Sequence, residues 1–375
     1  MKVALVHDWL TGMRGGEKCL EVFCEIFPDA DLYTLIYEPH GVSPPIQRMN
    51  VVTSWIGRLP AARRYFRYFL PLFPKTIESF ELGDYDLILS SSHCVAKGIY
   101  PYRALHIAYM YTPMRYIWDM EDAYLAGGTS LLSRAGLSLC RPYLRRWDLR
   151  SAERVNQFIA ISNNVAAKIN RIYGRSAEVI YPPVDIDKFY VADAVEPYYL
   201  ITSALVPYKR IDVAVDAFNR LQLPLKIAGE GPLGRFLQRR AKPNIEFLGW
   251  VDQVRLAELY ANCQALIFPG EEDFGIVPLE AQASGRPVIG FKKGGLLETV
   301  IGLDGSSSQK YPTGLFFSEQ RAESLIAAVE LYQKSQSQFR PDHIRQHAAK
   351  FSRERFKQES AEYLDSCVKQ FYGDR

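Results

Sequence analysis

Short apolar runs bounded by turn residues recur along the chain: KVALVH near the start, DLILSSS (86–92), HIAYMYTP (106–113) and QFIAIS (157–162). Between them the apolar positions change to helical spacing. After the first run, Leu20, Phe23, Cys24 and Phe27 follow the i, i+3, i+4, i+7 rule, with Gly15 and Gly16 as the turn into that helix. The alternation predicts βαβ units and a parallel sheet. The proline-containing stretch YPPVDIDKFYVADAVEPYY (181–199) interrupts the pattern, which then resumes with YYLITSAL, PLKIAGEG, IEFLGW, QALIFP and RPVIGF as strands. The economical parse is two α/β domains, residues 1–183 and 184–350, followed by an amphipathic, charged helix within 351–375. Ligands of such sheets bind beyond the strand C-termini, so a substrate between the domains would meet both sets of loops.

Composition narrows this picture only modestly. At 375 residues the chain exceeds the size at which single cores stop growing. A formal charge of +3 argues against general nucleic-acid binding. The six cysteines (Cys19, Cys24, Cys94, Cys140, Cys263, Cys367) show no CxxC or Cys/His ligand spacing, which fits a reducing cytoplasm and suggests neither a disulfide framework nor a zinc site. MKVALVHDWL is too short in apolar residues for a signal peptide, and no uninterrupted apolar run approaches 18 residues.

Candidate chemistry concentrates in GEEDFGIVPLEAQASGRPVIG (270–290), where Glu272 and Glu280 lie eight positions apart. On one unbroken helix they would point roughly 80° apart, so a shared helical face is not the natural reading. QALIFP instead reads as a strand, Gly275 as a tight turn, and Pro278 as the first position of a helix that Gly285 ends. Glu272 then sits in the loop and Glu280 in the first helical turn. Between them the amides of Phe274, Gly275, Ile276 and Val277 lack helical partners and carry the positive end of the macrodipole. An anion site flanked by two carboxylates suits a phosphate with sugars on either side, as in a nucleotide sugar. Taken singly, a Glu near a helix start is more often a dipole-stabilised surface residue.

The ordered set of motifs resembles the retaining GT-B glycosyltransferases of family 4. The E-x7-E of Glu272 and Glu280, GRPVIGFKKGG, LVPYKRID (205–212), IAGEGP (227–232) and FLGWVD (247–252) occur in that family's order. RGGEK (14–18) and SSSHCVAKG (90–98) look like its N-terminal loops, and YTPMRYIWD (111–119) resembles a subset that makes bacterial surface polysaccharides. The resemblance implies two Rossmann-like domains facing each other across a cleft, with the C-terminal helix packing back on the first. It implies that Glu272 contacts the donor sugar, Glu280 the nucleotide ribose, and Lys209 the diphosphate. His93 matches a histidine that faces the donor sugar, giving His93, Lys209 and Glu272 as the catalytic candidates. Gly15, Gly16, Arg210, Gly229, Gly231, Trp250 and Val251 join the candidate donor site. His7, Asp8, Arg115 and Asp119 are acceptor-site candidates, although Asp8 and Asp119 could equally cap turns. The family often carries an arginine where this chain has Ala204, and Arg210 is the candidate substitute. DID (185–187) reads as linker rather than as a metal motif, and no cofactor or metal is expected.

The resemblance implies transfer of a hexose, mannose from GDP-mannose first and UDP-hexoses behind it, to a lipid-linked or oligosaccharide acceptor. Three rivals stand beside it: a same-fold nucleotide-sugar epimerase, a dinucleotide-binding oxidoreductase, and a non-catalytic nucleotide-sugar-binding subunit. GMRGGEK lacks the G-x-G-x-x-G spacing of the second. Finally, WIGRLPAARRYFRYFLPLFPK (55–75) contains no acid. Wound as a helix from Ala61, it separates Phe66 and Phe69 from Arg63, Arg64 and Arg67. That pattern fits either a core-packed helix or peripheral attachment to an anionic membrane on the cytoplasmic side.

Overall fold

The apolar runs become strands of two all-parallel sheets. The computed structural model describes residues 1–59, 66–119, 131–303 and 311–373. In the first unit the strands are β1 (Val3–His7), β2 (Asp31–Thr34), β3 (Asn50–Thr53), β4 (Leu87–Ser92), β5 (Leu105–Met110), β6 (Gln157–Ala160) and β7 (Glu178–Val179). Their order is β3-β2-β1-β4-β5-β6-β7. The second unit holds β8 (Tyr199–Thr202), β9 (Leu225–Ala228), β10 (Ile245–Gly249), β11 (Leu266–Phe268), β12 (Val288–Phe291) and β13 (Gly314–Phe317), in the order β10-β9-β8-β11-β12-β13. The central strands β1, β4 and β5 are buried along their whole length, as expected when helices cover both faces of a parallel sheet. Four strands were not evident in the sequence: β2, β3, β7 and β13, each of four residues or fewer.

Both sheets reverse their strand order once, between β1 and β4 and between β8 and β11. Loops leaving adjacent strands at such a point run to opposite faces and leave a crevice at the strand C-termini. His7, opposite Ser91 in the register, and the end of β4 lie at the first reversal. The loops that carry Lys209 and Glu272 leave the two strands of the second.

Among the described residues the second unit comprises Val184–Ser352, and the first takes in both those before Val184 and the last helix, Arg353–Tyr372. That helix is anchored by charge and by apolar packing. Arg353 pairs with Glu21 at 2.8 Å and Glu25 at 2.6 Å, and Lys357 with Glu25 at 3.2 Å. The fully buried Phe356 ring packs on Phe23 and Tyr109 with centroids 5.5 and 5.7 Å away.

Charge is also used inside the first unit. Lys97, fully buried in the turn after β4, meets Asp148 Oδ1 at 3.0 Å and donates to the Ser151 hydroxyl at 2.5 Å. Asp148, fully buried on the helix Leu131–Ala152, also accepts from Trp118 Nε1 and the Tyr173 hydroxyl, each at 2.8 Å. Burial pushes the Lys97 pKa down, against the raising effect of Asp148.

The described part of the segment 55–75 shows where its apolar residues go. Phe66–Leu72 is a 3-10 helix whose Phe66 is only 8% exposed and packs on Trp9, ring centroids 5.2 Å apart. Phe69 and Leu70 also pack against the first unit's core. Phe66, Phe69 and Leu70 thus pack inward, while Trp55, Leu59, Tyr68 and Leu72 of the same segment are exposed. Arg63, Arg64 and the Arg67 side chain lie outside the described residues. No described helix is long and apolar enough to cross a membrane.

Replacing Asp148 with Ala strands the Lys97 ammonium and leaves two indole and phenol donors unmet. Loss of one partner of a buried pair costs about 3–5 kcal/mol, so thermal unfolding should shift down by roughly 6–20 °C. A shift under 2 °C in differential scanning fluorimetry would show that the pair does not hold the first unit together.

Candidate functional site

In the second unit, five loops converge beyond the strand C-termini. The loop after β8 forms a 3-10 turn, Pro207–Lys209, and passes through Arg210 in the left-handed region (φ 51°) into the helix Ile211–Leu221. The loop after β11 runs from Pro269 to Gly275, whose φ of 107° caps the helix Ile276–Ala283. A Cβ on Gly270 would stand 3.0 Å from Lys209 Cα, so a glycine there lets the two loops touch. Lys209 Nζ forms an ion pair with Glu272 Oε1, both side chains being mostly buried.

The helix begins at Ile276, two residues earlier than Pro278 suggested, so Glu280 opens its second turn rather than lying in its first. The revised start keeps the anion site: Gly275, Ile276 and Val277 head the helix, and Pro278, the third residue, has no N–H to leave unpaired. Phe274 is buried, 5.9 Å from the Phe351 ring, so only its backbone is available to the loop surface. Glu280 is 7% exposed, and its Oε2 accepts from the Tyr260 hydroxyl at 3.1 Å. Tyr260 in turn lies 2.6 Å from the Thr202 hydroxyl at the end of β8. Burial, with the Glu280 charge beside it, pushes the Tyr260 pKa well up and keeps the phenol a donor.

Glycines set the remaining loops. A Cβ on Gly229 (φ 132°) would fall on Ser203 O, and one on Gly231 would meet Leu205 O, so the turn after β9 lies flat on the turn after β8. Trp250 follows β10 with 75% of its surface exposed, its amide donating to Glu230 Oε1 at 3.4 Å, and Val251 is half-buried next to it. Sequence reasoning quoted Gly294 and Gly295 but gave them no place in the site. Their missing side chains let the loop after β12 abut the backbone of Glu272 and Asp273, and the Gly295 amide donates to Glu272 O at 2.8 Å. The double glycine after a strand was the available signal.

Arg210, the candidate substitute for the missing arginine, is engaged within its own unit. Its guanidinium is turned to the Asp212 carboxylate at 3.2 Å and to Gln320 at 3.4 Å, while Ala204 is exposed.

The first unit places its candidates at the β1–β4 reversal. Gly15 and Gly16 open the helix Gly15–Ile26, and a Cβ on Gly16 would sit 3.3 Å from the Tyr111 ring. His7 is fully buried, with Nδ1 3.1 Å from Ser91 Oγ and Nε2 3.9 Å from Glu17 Oε1. Ser91 Oγ lies 2.6 Å from the Tyr111 hydroxyl, which donates to Gly16 O at 2.7 Å. His7 therefore supports the Gly16 turn from beneath. Asp8 is fully buried too, so neither residue presents a surface to an acceptor. Its Oδ2 accepts the amides of His93 and Cys94 at 2.7 and 3.0 Å and its Oδ1 those of Val95 and Ala96 at 2.6 and 2.7 Å. His93 Nδ1 lies 3.1 Å from Oδ2. Burial acts to raise the Asp8 pKa, but the His93 charge and hydrogen bond outweigh it and bring it down to about 2.

Arg115 and Asp119 bracket the short helix Arg115–Trp118 after β5. Asp119 is engaged by Lys168 at 3.0 Å and Arg171 at 2.6 Å, so its charge is already met within the unit. Among the described residues no group of three or more His, Cys, Asp or Glu side chains is arranged to hold a metal ion. Asp185 of the DID sequence pairs with Lys188 at 2.6 Å.

The fold and the loop architecture are those of a GT-B protein, two parallel-sheet Rossmann-like units in tandem. Two family models tile the chain: glycosyltransferase family 4 over residues 15–188 and glycosyl transferases group 1 over residues 185–354. The chain belongs to this family of GT-B glycosyltransferases. It is 29% identical over 161 residues to an uncharacterized glycosyltransferase of Methanocaldococcus jannaschii, covering 41% of this chain and 46% of that one. It is 30% identical over 155 residues to the O-antigen chain mannosyltransferase RfbU of Salmonella typhimurium, covering 37% and 43%. These matches span under half the length of those relatives. The crystal structure of Anabaena HepE in complex with UDP superposes with a TM-score of 0.69 at 18% identity, over 98% of this chain and all of that one.

Because the folded-state pKa of Asp8 is depressed, its contribution to stability is present above the unfolded value of 3.8 and is lost as pH falls towards about 2. The shift corresponds to about 2 kcal/mol. The stability gap between wild type and Asp8→Asn should therefore be constant above about pH 5 and shrink by that amount towards pH 2. Denaturant unfolding across that range reads it, and a gap independent of pH contradicts the assignment.

Proposed function

We propose that the protein transfers a hexose from a nucleoside-diphosphate sugar to an acceptor hydroxyl, with retained anomeric configuration and without a metal ion. The observation that carries this reading is the convergence of Lys209, Glu272, Glu280 and the amides of Gly275–Val277 at one strand reversal of the second sheet. A diphosphate there meets a compact cation and the positive end of a helix, which offset charge accumulating on the leaving group. Glu280, fixed by Tyr260, offers a carboxylate to ribose hydroxyls, and Glu272 offers one to the transferred sugar. This reading assigns Trp250 and Val251, just after β10, to the nucleotide. With no carboxylate assigned as a covalent nucleophile, the favoured course is front-face attack, a phosphate oxygen of the departing diphosphate taking the acceptor proton.

Mannose, with GDP as its carrier, is the first choice of donor, supported by the O-antigen mannosyltransferase among the relatives and by the polysaccharide-type YTPMRYIWD loop. The acceptor in this reading is a lipid-linked or oligosaccharide intermediate of a surface polysaccharide. HepE, bound to UDP, keeps a UDP-hexose as the second reading. A thermal-shift screen with GDP, UDP, ADP and their sugars separates them, since ligand at 100 times its dissociation constant adds about 2.7 kcal/mol. Acceptor-dependent release of the nucleoside diphosphate separates transfer from epimerisation.

Glu280→Gln should weaken nucleoside-diphosphate binding by about 1.5–3 kcal/mol, whereas Glu272→Gln should chiefly slow transfer. Equal affinity of wild type and Glu280→Gln in calorimetry sinks the ribose assignment. Lys209→Ala should lower turnover by on the order of 10²–10³, and EDTA should leave turnover intact. A strict requirement for Mg²⁺ or Mn²⁺ would mean that the leaving-group charge is met elsewhere.

A further inference from the structure

We propose that Asp8 is a positioning residue for His93, its buried carboxylate fixing both the loop that carries the imidazole and the tautomer that the ring presents. The proposal rests on the reading above, in which His93 meets the transferred sugar.

Five donors converge on this one carboxylate. Oδ2 takes the His93 amide, the Cys94 amide and His93 Nδ1, and Oδ1 takes the Val95 and Ala96 amides, all within 3.1 Å. The backbone and the ring of His93 thus share a single oxygen, so the side chain cannot turn away without losing its anchor. An ionised carboxylate only accepts, so the proton between the two groups belongs to Nδ1. In the neutral ring Nε2 is then the bare acceptor. Asp8 stays ionised over any working pH, since its pKa lies near 2. The second wall is Trp9, whose indole meets the His93 ring edge-on with centroids 4.5 Å apart. Trp9 is itself held by Phe66 at 5.2 Å and Phe73 at 6.0 Å. With Nδ1 bonded and the ring packed on Trp9, Nε2 engages no described protein group, and 32% of the side chain is exposed. The ring is therefore pre-set to accept a hydrogen bond from a hydroxyl at Nε2 before any ligand arrives.

A carboxylate that only pinned the loop would need the four amides alone. The bond to Nδ1 is the extra element, and it predicts a signature that loop pinning does not. Imidazole ¹⁵N shifts of His93, at a pH above its titration, should report a protonated Nδ1 and a bare Nε2 in wild type, and a relaxed mixture in Asp8→Asn. A dominant Nε2–H tautomer in wild type overturns the proposal. For turnover of GDP-mannose with acceptor, Asp8→Asn should lower kcat by about 10–100-fold with little change in donor KM, as is usual for groups that orient a contacting residue. Placed on His93→Ala, the same change should cost less than about threefold further, because its route to the substrate has been removed. If the full loss recurs on His93→Ala, with both proteins folded by circular dichroism, Asp8 only pins the loop and the proposal fails. If His93→Ala turns over normally, the assignment of His93 to the sugar falls, and the tautomer measurement still decides whether Asp8 sets the ring.

Discussion

A parallel sheet must send every chain crossover back over one of its faces, and the point at which the strand order reverses is where neighbouring loops part. Both units of this protein are organised by that constraint. At the β1–β4 reversal the parting loops bring Asp8 to the amides of residues 93–96, and at the β8–β11 reversal they bring Lys209 to Glu272. Residues more than 60 positions apart in sequence become neighbours because the strand order reverses there. The glycines at 229, 231, 270, 294 and 295 serve the same end, removing side chains where backbones of adjacent loops touch.

Within that frame, buried charge is tolerated only where its bonding is complete. Asp8 has five donors and Asp148 has an ammonium, an indole and a phenol. Each ties together segments that apolar packing alone would leave free to slide: the ends of β1 and β4 in one case, the turn after β4 and the helix Leu131–Ala152 in the other. The two clusters sit at either end of the same turn, residues 93–97. His93 is thereby held on a segment with little freedom, which suits a group that must be in place before its ligand.

The sequence made the long buried strands legible because continuous apolar runs are their direct signature. It concealed β2, β3, β7 and β13, whose few residues mix polar and apolar positions and owe their conformation to the strands beside them. Motif order made Lys209, Glu272 and Glu280 legible, and propensity located the helix after Glu272, misplacing its start by two residues because the left-handed Gly275, not Pro278, caps it. Periodicity grouped Phe66 with Phe69 but carried no information on what they pack against, which is Trp9 and a core assembled from distant segments. The burial of Asp8 was equally invisible, since it depends on amides 85 and more residues away.

The two glutamates of the candidate donor site differ physically in a way their shared motif does not express. Glu280 stands on a helix, 7% exposed, held by a phenol that is itself fixed to β8, so its direction is set by secondary structure. Glu272 stands in a loop, and its partner is the ammonium of Lys209 on a flexible four-carbon stem. A preorganised acceptor suits a group that is the same in every turnover, as the ribose of a nucleotide is. In the proposed function, a carboxylate paired to a cation that can exchange partners suits the place where charge redistributes, since Lys209 would turn from carboxylate to diphosphate as negative charge builds there. In the proposed function, then, the fixed glutamate recognises the part of the donor that leaves unchanged, and the exchangeable one sits beside the bond that breaks.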